Sequence, residues 1–422
     1  MEANDILLDF VRFLESSPTA WQATDHAAER LLDSGFTELH EGNFWSLEPE
    51  GKYFVIRNGS SLCAFILPKE NTENIRLIGS HTDSPGFKLK PHPEYSHKNM
   101  VMFGVEVYGS PLLNSWLNRD LGIAGRVMVL NEQGHIEEHH VVLDQHPVTI
   151  PQLAIHLDRE VNSKGLLLNK QQHTSAIATL EKIPSGNYLE RLLRDRISFQ
   201  TLLGHDLFLY PLDRVQFLGQ DYEMLSSYRI DNLAGVHASL LALLEQEVDV
   251  NTLKMVMFWD NEEVGSATPQ GAESPFVSHV LERILERPNL LRILAKSLCV
   301  SVDLAHAVHP NYPEKHDPLH SPVLGGGIVI KHNAQQRYAT DARSLSDLKK
   351  IATEQKIPLQ EFVVRSDIPC GSTIGPLHAK MTGMPTVDIG IPQLSMHAAR
   401  ELIACEDHVH MVDLLSHIFK YK

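Results

Sequence analysis

The chain is poor in cysteine. Four thiols, Cys63, Cys299, Cys370 and Cys405, are spread over 422 residues with no CxxC pair. That spacing excludes a disulfide framework and a cysteine-based zinc module, and it reads as reduced thiols in a reducing compartment. Long hydrophobic runs are missing too. No window approaches ~18 uninterrupted apolar residues, so no spanning helix and no membrane partner are expected. The amino-terminal stretch MEANDILLDFVRFLESS is acidic and amphipathic. It lacks the basic n-region and apolar h-region of a signal peptide, and the expected location is cytoplasmic. Basic charge is scarce: 37 Lys and Arg stand against 53 Asp and Glu, a net charge of −16. Nucleic acid is therefore not expected as a partner, because neutralising phosphates needs a basic surface. Preference for an acidic substrate would have to come from a local basic residue. There are no internal repeats and no low-complexity tract. What remains is a globular composition, long enough for two domains with substantial cores.

The most informative stretch is MVMFWDNEEVGS, from Met255 to Ser266, which delivers Glu262 and Glu263 at the end of an apolar, strand-like run. Adjacent carboxylates leaving a buried strand repel each other and resist desolvation. Chains keep such pairs when one carboxylate holds a cation and the other handles a proton. Four other stretches share the layout of a β-type run followed by a metal-competent side chain. IRLIGSHTDSPG carries His81 and Asp83, SSYRIDNLAG carries Asp231, SLCVSVDLAHA carries Asp303, and PTVDIGIPQLSMHAARE carries His397. Ligands of open α/β sheets bind at the carboxyl ends of strands, where these residues would converge. Two imidazoles and three carboxylates, with one carboxylate left over, suit Zn²⁺ or another divalent transition metal, and a bridging carboxylate would allow two ions. Asp83 is spaced to hydrogen-bond the second ring nitrogen of His81.

Eight motifs in order, HTDSPG, LAIHLDR, DNLAG, NEEVGS, SVDLAHAVHPNYPEKHDP, VIKHNAQQRYAT, PCGSTIGP and SMHAARE, make the chain resemble the aspartyl aminopeptidases, metallopeptidase family 18, over nearly its whole length. The Gly325–Gly327 run before IVIK departs from the family pattern and bears on pocket shape. The resemblance implies an α/β zinc-exopeptidase fold, a mixed sheet flanked by helices, interrupted by a β-rich dimerisation domain. It implies two Zn²⁺ per subunit, with Co²⁺ or Mn²⁺ as other divalent possibilities. His81 and Asp303 would serve one ion, Glu263 and His397 the other, and Asp231 would bridge. Glu262 would be the general base, moving a proton from the attacking water to the leaving amine. His156 would reach the active site of a neighbouring subunit and hydrogen-bond the oxyanion. Lys331 would line the pocket for the first substrate residue and pair with an acidic side chain. The Asp231–Asn232 peptide bond would be cis. The implied activity is removal of an N-terminal Asp or Glu from peptides, by a homo-oligomer of dimers assembled into a tetrahedral dodecamer. Alternatives are a related zinc exopeptidase or deacylase with neutral specificity, or a non-catalytic assembly protein of the same fold.

Periodicity sketches the rest. Helices are expected at Ile6–Glu15, Ala20–Ser34, Leu233–Leu244 (capped by the Asp231 carboxylate), Ser274–Arg287, Leu345–Gln355 and Glu406–Phe419. A hairpin is expected around Asn58-Gly59. The roughly 150 residues between His81 and Asp231 are too many for one crossover. They divide the chain into a catalytic domain, residues 1–90 and 219–422, and an inserted domain, residues 91–218, in which 157–204 reads as weakly structured. The ligand-rich HIEEHH at His135–His140 is expected to be a solvated strand face. His309, His316 and His320 are not expected to be ligands. Gly325–Gly327 lacks the spacing of a phosphate cradle, and Cys370–Thr373 lacks the partners of a nucleophile.

Overall fold

The Thr252–Trp259 strand, TLKMVMFW, has every residue buried. A strand that is apolar on both faces needs cover on both sides, and its neighbours provide it. The computed structural model describes residues 2–180 and 186–421. Among these, the strands form three sheets. The largest runs in the order 37–39, 52–57, 61–66, 252–259, 74–81, 298–302, 386–390, 328–332 and 359–363. Its centre is parallel: 252–259 pairs with 74–81, which pairs with 298–302, which pairs with 386–390. The 61–66 and 328–332 strands join antiparallel on either side. This mixed sheet lies between two apolar layers. One contains Phe10, Leu240 and Leu415 from the Ala3–Glu15, Ile230–Leu244 and Cys405–Lys420 helices, and the other contains Phe276, Leu290 and Ile293.

A second, antiparallel sheet comprises strands Ile136–Val148, Leu121–Leu130, Thr201–Pro211, Gly86–His97, Met100–Tyr108 and Ala176–Leu180, in that order. It has its own core, to which the Tyr188–Arg194 helix adds Leu189, Leu192 and Leu193. The sheet begins at Gly86 rather than after residue 90, because the strand starts directly after the His81 loop. It ends at Pro211, since Gln216–Leu218 pairs instead into the third sheet. The stretch 157–204 is more ordered than its composition suggested, carrying the Ala176–Leu180 strand and the Tyr188–Arg194 helix; residues 181–185 within it lie outside the described residues. The third sheet runs 216–218, 224–227, 401–404, 392–394 and 305–306. All of its strands follow the second sheet in the chain.

Three further expectations need correction. Asp231 does not cap its helix; Asn232 Oδ1 accepts from the Gly235 N–H at 3.2 Å instead, and the backbone of both residues is non-helical. The helix expected at Ser274–Arg287 is shorter, Phe276–Ile284, and a second, Arg287–Leu294, begins where it was expected to end, with Pro288 in its first turn, where the missing N–H is tolerated. In HIEEHH, His140 is not solvated but engages Asp25 of the Ala20–Asp33 helix through Nδ1. Among the described residues no helix is long and apolar enough to cross a membrane.

Candidate metal centre and active site

Each expected ligand sits at the carboxyl end of a strand or in the turn just beyond. His81 ends the Asn74–His81 strand, Asp303 follows Leu298–Val302, and Glu262 and Glu263 form a short 3₁₀ turn after Thr252–Trp259. These strands are adjacent in the sheet, so the side chains meet. Asp231 arrives from the third sheet through Arg229 and a cis Asp231–Asn232 peptide, and His397 from the turn before Glu401. Donor atoms of His81, Asp231 and Glu263 all lie within 4.8 Å of one another.

The geometry around Asp231 has two halves. Oδ1 is 3.5 Å from His81 Nε2, which is itself 3.4 Å from Asp303 Oδ1. Oδ2 is 3.6 Å from His397 Nε2, which is 3.3 Å from Glu263 Oε1. Donors around a tetrahedral zinc at ~2.1 Å are separated by roughly 3.4 Å, and these four distances are close to that. Asp231 Oδ1 is buried without a hydrogen-bond partner, which a cation would satisfy.

The second ring nitrogens are held by the surroundings. His81 Nδ1 faces the Asp83 backbone oxygen at 3.2 Å and Asp83 Oδ1 at 3.3 Å, leaving Nε2 for the centre. Asp83 is used more fully than its spacing from His81 implied. It accepts the Glu262 and Glu263 N–H groups, each at 3.1 Å, and the Tyr108 hydroxyl at 2.7 Å. His397 Nδ1 donates to the Ser110 carbonyl oxygen at 3.1 Å, which fixes its tautomer. Tyr108 ends a strand of the second sheet and Ser110 follows just beyond it, so that sheet braces the centre directly.

The electrostatics of the side chains favour a cation. Burial raises the pKa of Glu262 well above its usual range, and Glu263, Asp303 and Asp83 add to the effect against the pull of His81. Burial and the Asp231 charge push Glu263 up to about 7 despite His397. Burial alone would lower His81, but the facing carboxylates of Asp231, Asp303 and Asp83 raise it well above its ordinary value. Asp303 is penalised by burial, yet Lys331 and His81 hold its carboxyl well below the usual carboxylate range.

The centre opens into a cleft of about 300 Å³, walled by His306, Lys331, Tyr338, Gly371, Ser372, Thr373 and Met396. Lys331 is 2% exposed, and its ammonium donates to Asp303 Oδ2 at 3.2 Å. A second recess of about 290 Å³ shares His306, Tyr338, Gly371 and Met396 with the first. His156 does not line this cleft. It lies in an exposed turn closed by the Leu157 N–H on the Ala154 carbonyl at 2.9 Å. His309, His316 and His320 remain outside the cluster, the last paired with Asp317 at 2.9 Å. Sequence reasoning missed His306, Tyr338 and Glu401. A histidine three residues after Asp303 and a glutamate four after His397 were the available signals.

Parallel strands carrying a histidine and carboxylate cluster at their carboxyl ends, with a helix layer on each face, define a metal-dependent hydrolase of the exopeptidase class. The model of the family described as aminopeptidase I zinc metalloprotease (M18) matches residues 13–419, and the chain belongs to that family. A probable M18 family aminopeptidase 2 of Pseudomonas aeruginosa (strain UCBPP-PA14) is 41% identical over 423 aligned positions, covering 98% of this chain and 97% of the relative. The chain also superposes on a solved structure of the Ape4 and Nbr1 complex with a TM-score of 0.95 at 36% identity, covering 99% of this chain and 86% of the other. It superposes on the S. cerevisiae mApe1 dodecamer structure with a TM-score of 0.87 at 28% identity, covering 99% and 97%. The protein is thus an aminopeptidase of the metallopeptidase type.

Proposed function

We propose that this aminopeptidase works with two zinc ions per subunit and removes acidic residues, Asp or Glu, from the amino termini of peptides. The observation that carries the two-zinc reading is the placement of Asp231, whose two oxygens face separate histidine–carboxylate pairs, His81 with Asp303 and His397 with Glu263. Bound there, zinc would polarise the scissile carbonyl and lower the pKa of the attacking water. The chain's own groups do the rest. Glu262 is half-buried at the cleft with its N–H anchored on Asp83, so its carboxylate is free to take a proton from water and return it to the leaving amine. Lys331 orients the first substrate residue. An ammonium has three donors and Asp303 takes one, which leaves capacity for an acidic side chain.

His156 requires a second copy of the chain. Its turn is exposed, and Leu153, Ile155 and Leu157 around it present apolar surface at 58%, 45% and 75% exposure. Such a patch marks a contact surface. With the dodecameric neighbour in view, the reading is a homo-oligomer of dimers built into a tetrahedral dodecamer, in which His156 of one protomer steadies the oxyanion in another.

Neutral specificity is the second reading, favoured by one observation: the charge of Lys331 is already engaged by Asp303. Hydrolysis of N-terminal aspartyl and leucyl peptides, before and after chelation and zinc restoration, separates the two. Faster aspartyl turnover that returns with zinc supports the acidic reading, and faster leucyl turnover rejects it.

A further inference from the structure

A carboxylate outside the ligand set ties two of its members together. Glu401 opens the Glu401–Ala404 strand and lies opposite Ser227 in the antiparallel ladder with Met224–Ser227. That register sets it beside the turn that leads from Ser227 into Asp231. The side chain is buried, 2% exposed. Oε2 accepts the Asp231 N–H at 3.0 Å, and Oε1 accepts the His397 N–H at 2.9 Å. His397 occupies demanding backbone, at φ +65°. Non-glycine residues hold that left-handed region only where the surroundings fix them. From the other side, the His397 carbonyl is held by the Leu112 N–H at 2.9 Å.

We infer that Glu401 is a positioning residue for the zinc ion between Asp231, Glu263 and His397, acting through the peptide groups of Asp231 and His397 without touching the ion. The inference rests on the two-zinc reading. Asp231 and His397 come from segments far apart in the chain, and Glu401 is the side chain that hydrogen-bonds the backbone of both. Metal–ligand distances tolerate only about 0.2 Å of error, so a carboxylate that sets the separation of two ligands sets affinity. Asp83 plays the matching part on the other side, bracing His81 while taking the Glu262 and Glu263 N–H groups. Among the described residues Glu401 makes no hydrogen bond to His81 or Asp303; the ion beside His397 would lose the bracing of two ligands and the other of Asp231 alone, so the two ions should respond differently to its loss.

Glu401→Gln tests this. An amide has one acceptor oxygen, so one of the two N–H groups would face an NH₂ donor instead. Metal-free full-length protein is titrated with zinc against a chromophoric chelator. Wild type should bind two ions. The variant should bind one within about threefold of wild-type affinity and the other about 10- to 100-fold more weakly, the usual effect of removing a ligand's outer partner. Two ions bound at wild-type affinity overturns the inference while leaving the two-zinc reading intact. Equal weakening of both ions also overturns it, since a general loosening is not selective positioning. A wild-type stoichiometry of one overturns the two-zinc reading, and the inference with it. Should Glu401→Gln fail to fold by circular dichroism, Glu401→Asp, which keeps both oxygens but is one methylene shorter, takes its place with the same expected split. If neither folds, Glu401 holds the fold rather than the zinc site, and the inference is rejected.

Discussion

Replacing Glu262 with Gln isolates proton transfer from everything else at the centre. The backbone of Glu262 is held by Asp83 at 3.1 Å, and its side chain makes no hydrogen bond among the described residues, so the amide breaks no protein contact. Burial and the neighbouring charges of Glu263, Asp303 and Asp83 disfavour the Glu262 carboxylate. Removing that charge relieves repulsion, and thermal stability should stay level or rise. Zinc content should be unchanged, because the facing donor pairs belong to His81, Asp231, Asp303, Glu263 and His397. What is lost is the proton carrier, typically worth 10²- to 10⁴-fold, or about 3–5 kcal/mol of barrier. The assay is kcat on an aspartyl peptide with zinc-reconstituted protein, alongside zinc analysis of the same sample. A loss below about 100-fold refutes the role, and so does a loss accompanied by departure of zinc.

Other outcomes follow from the same geometry. Lys331→Met should lower kcat/KM for aspartyl peptides about 10- to 150-fold, the range for a hydrogen bond to a charged group, and affect leucyl peptides less; equal losses would place the lysine in support of Asp303 alone. Co-expressing His156→Ala with Glu262→Gln chains should restore activity, because mixed dimers contain one site with neither defect, and no recovery would mean that His156 serves its own chain or none. His237 is fully buried, and burial lowers its pKa to about 4. The folded protein then binds fewer protons than the unfolded chain between about 4 and 6.5, so stability should fall as pH drops through that window. His237→Asn should flatten the fall seen in thermal melts, and an unchanged slope would contradict it.

Much of the centre was legible because its chemistry follows strand ends. His81, Asp303 and the Glu262-Glu263 pair each close an apolar run, and a parallel sheet brings such ends together. Asp231 was legible as a candidate ligand but misread as a helix cap, since Asp and Asn both cap and only the folded backbone shows that Asn232 does so. The bracing of His397 was invisible, because its partner is the Ser110 backbone carbonyl and a carbonyl leaves no mark in a sequence. Glu401 was hidden for a different reason: a glutamate at a strand start ordinarily reads as surface, and its burial depends on the ladder with Met224–Ser227. A separate sheet after His81 was legible from the length of the segment, but its start was not, because the Gly86–His97 strand grows straight out of the His81 loop.

The proposed activity rests on a two-zinc centre bridged by Asp231. Anomalous diffraction at the zinc edge from crystals of zinc-loaded protein tests it most directly. The expected result is two peaks roughly 3.5 Å apart, one among His81, Asp231 and Asp303 and the other among Asp231, Glu263 and His397. A single peak at full zinc loading, or peaks held by other residues, would contradict it.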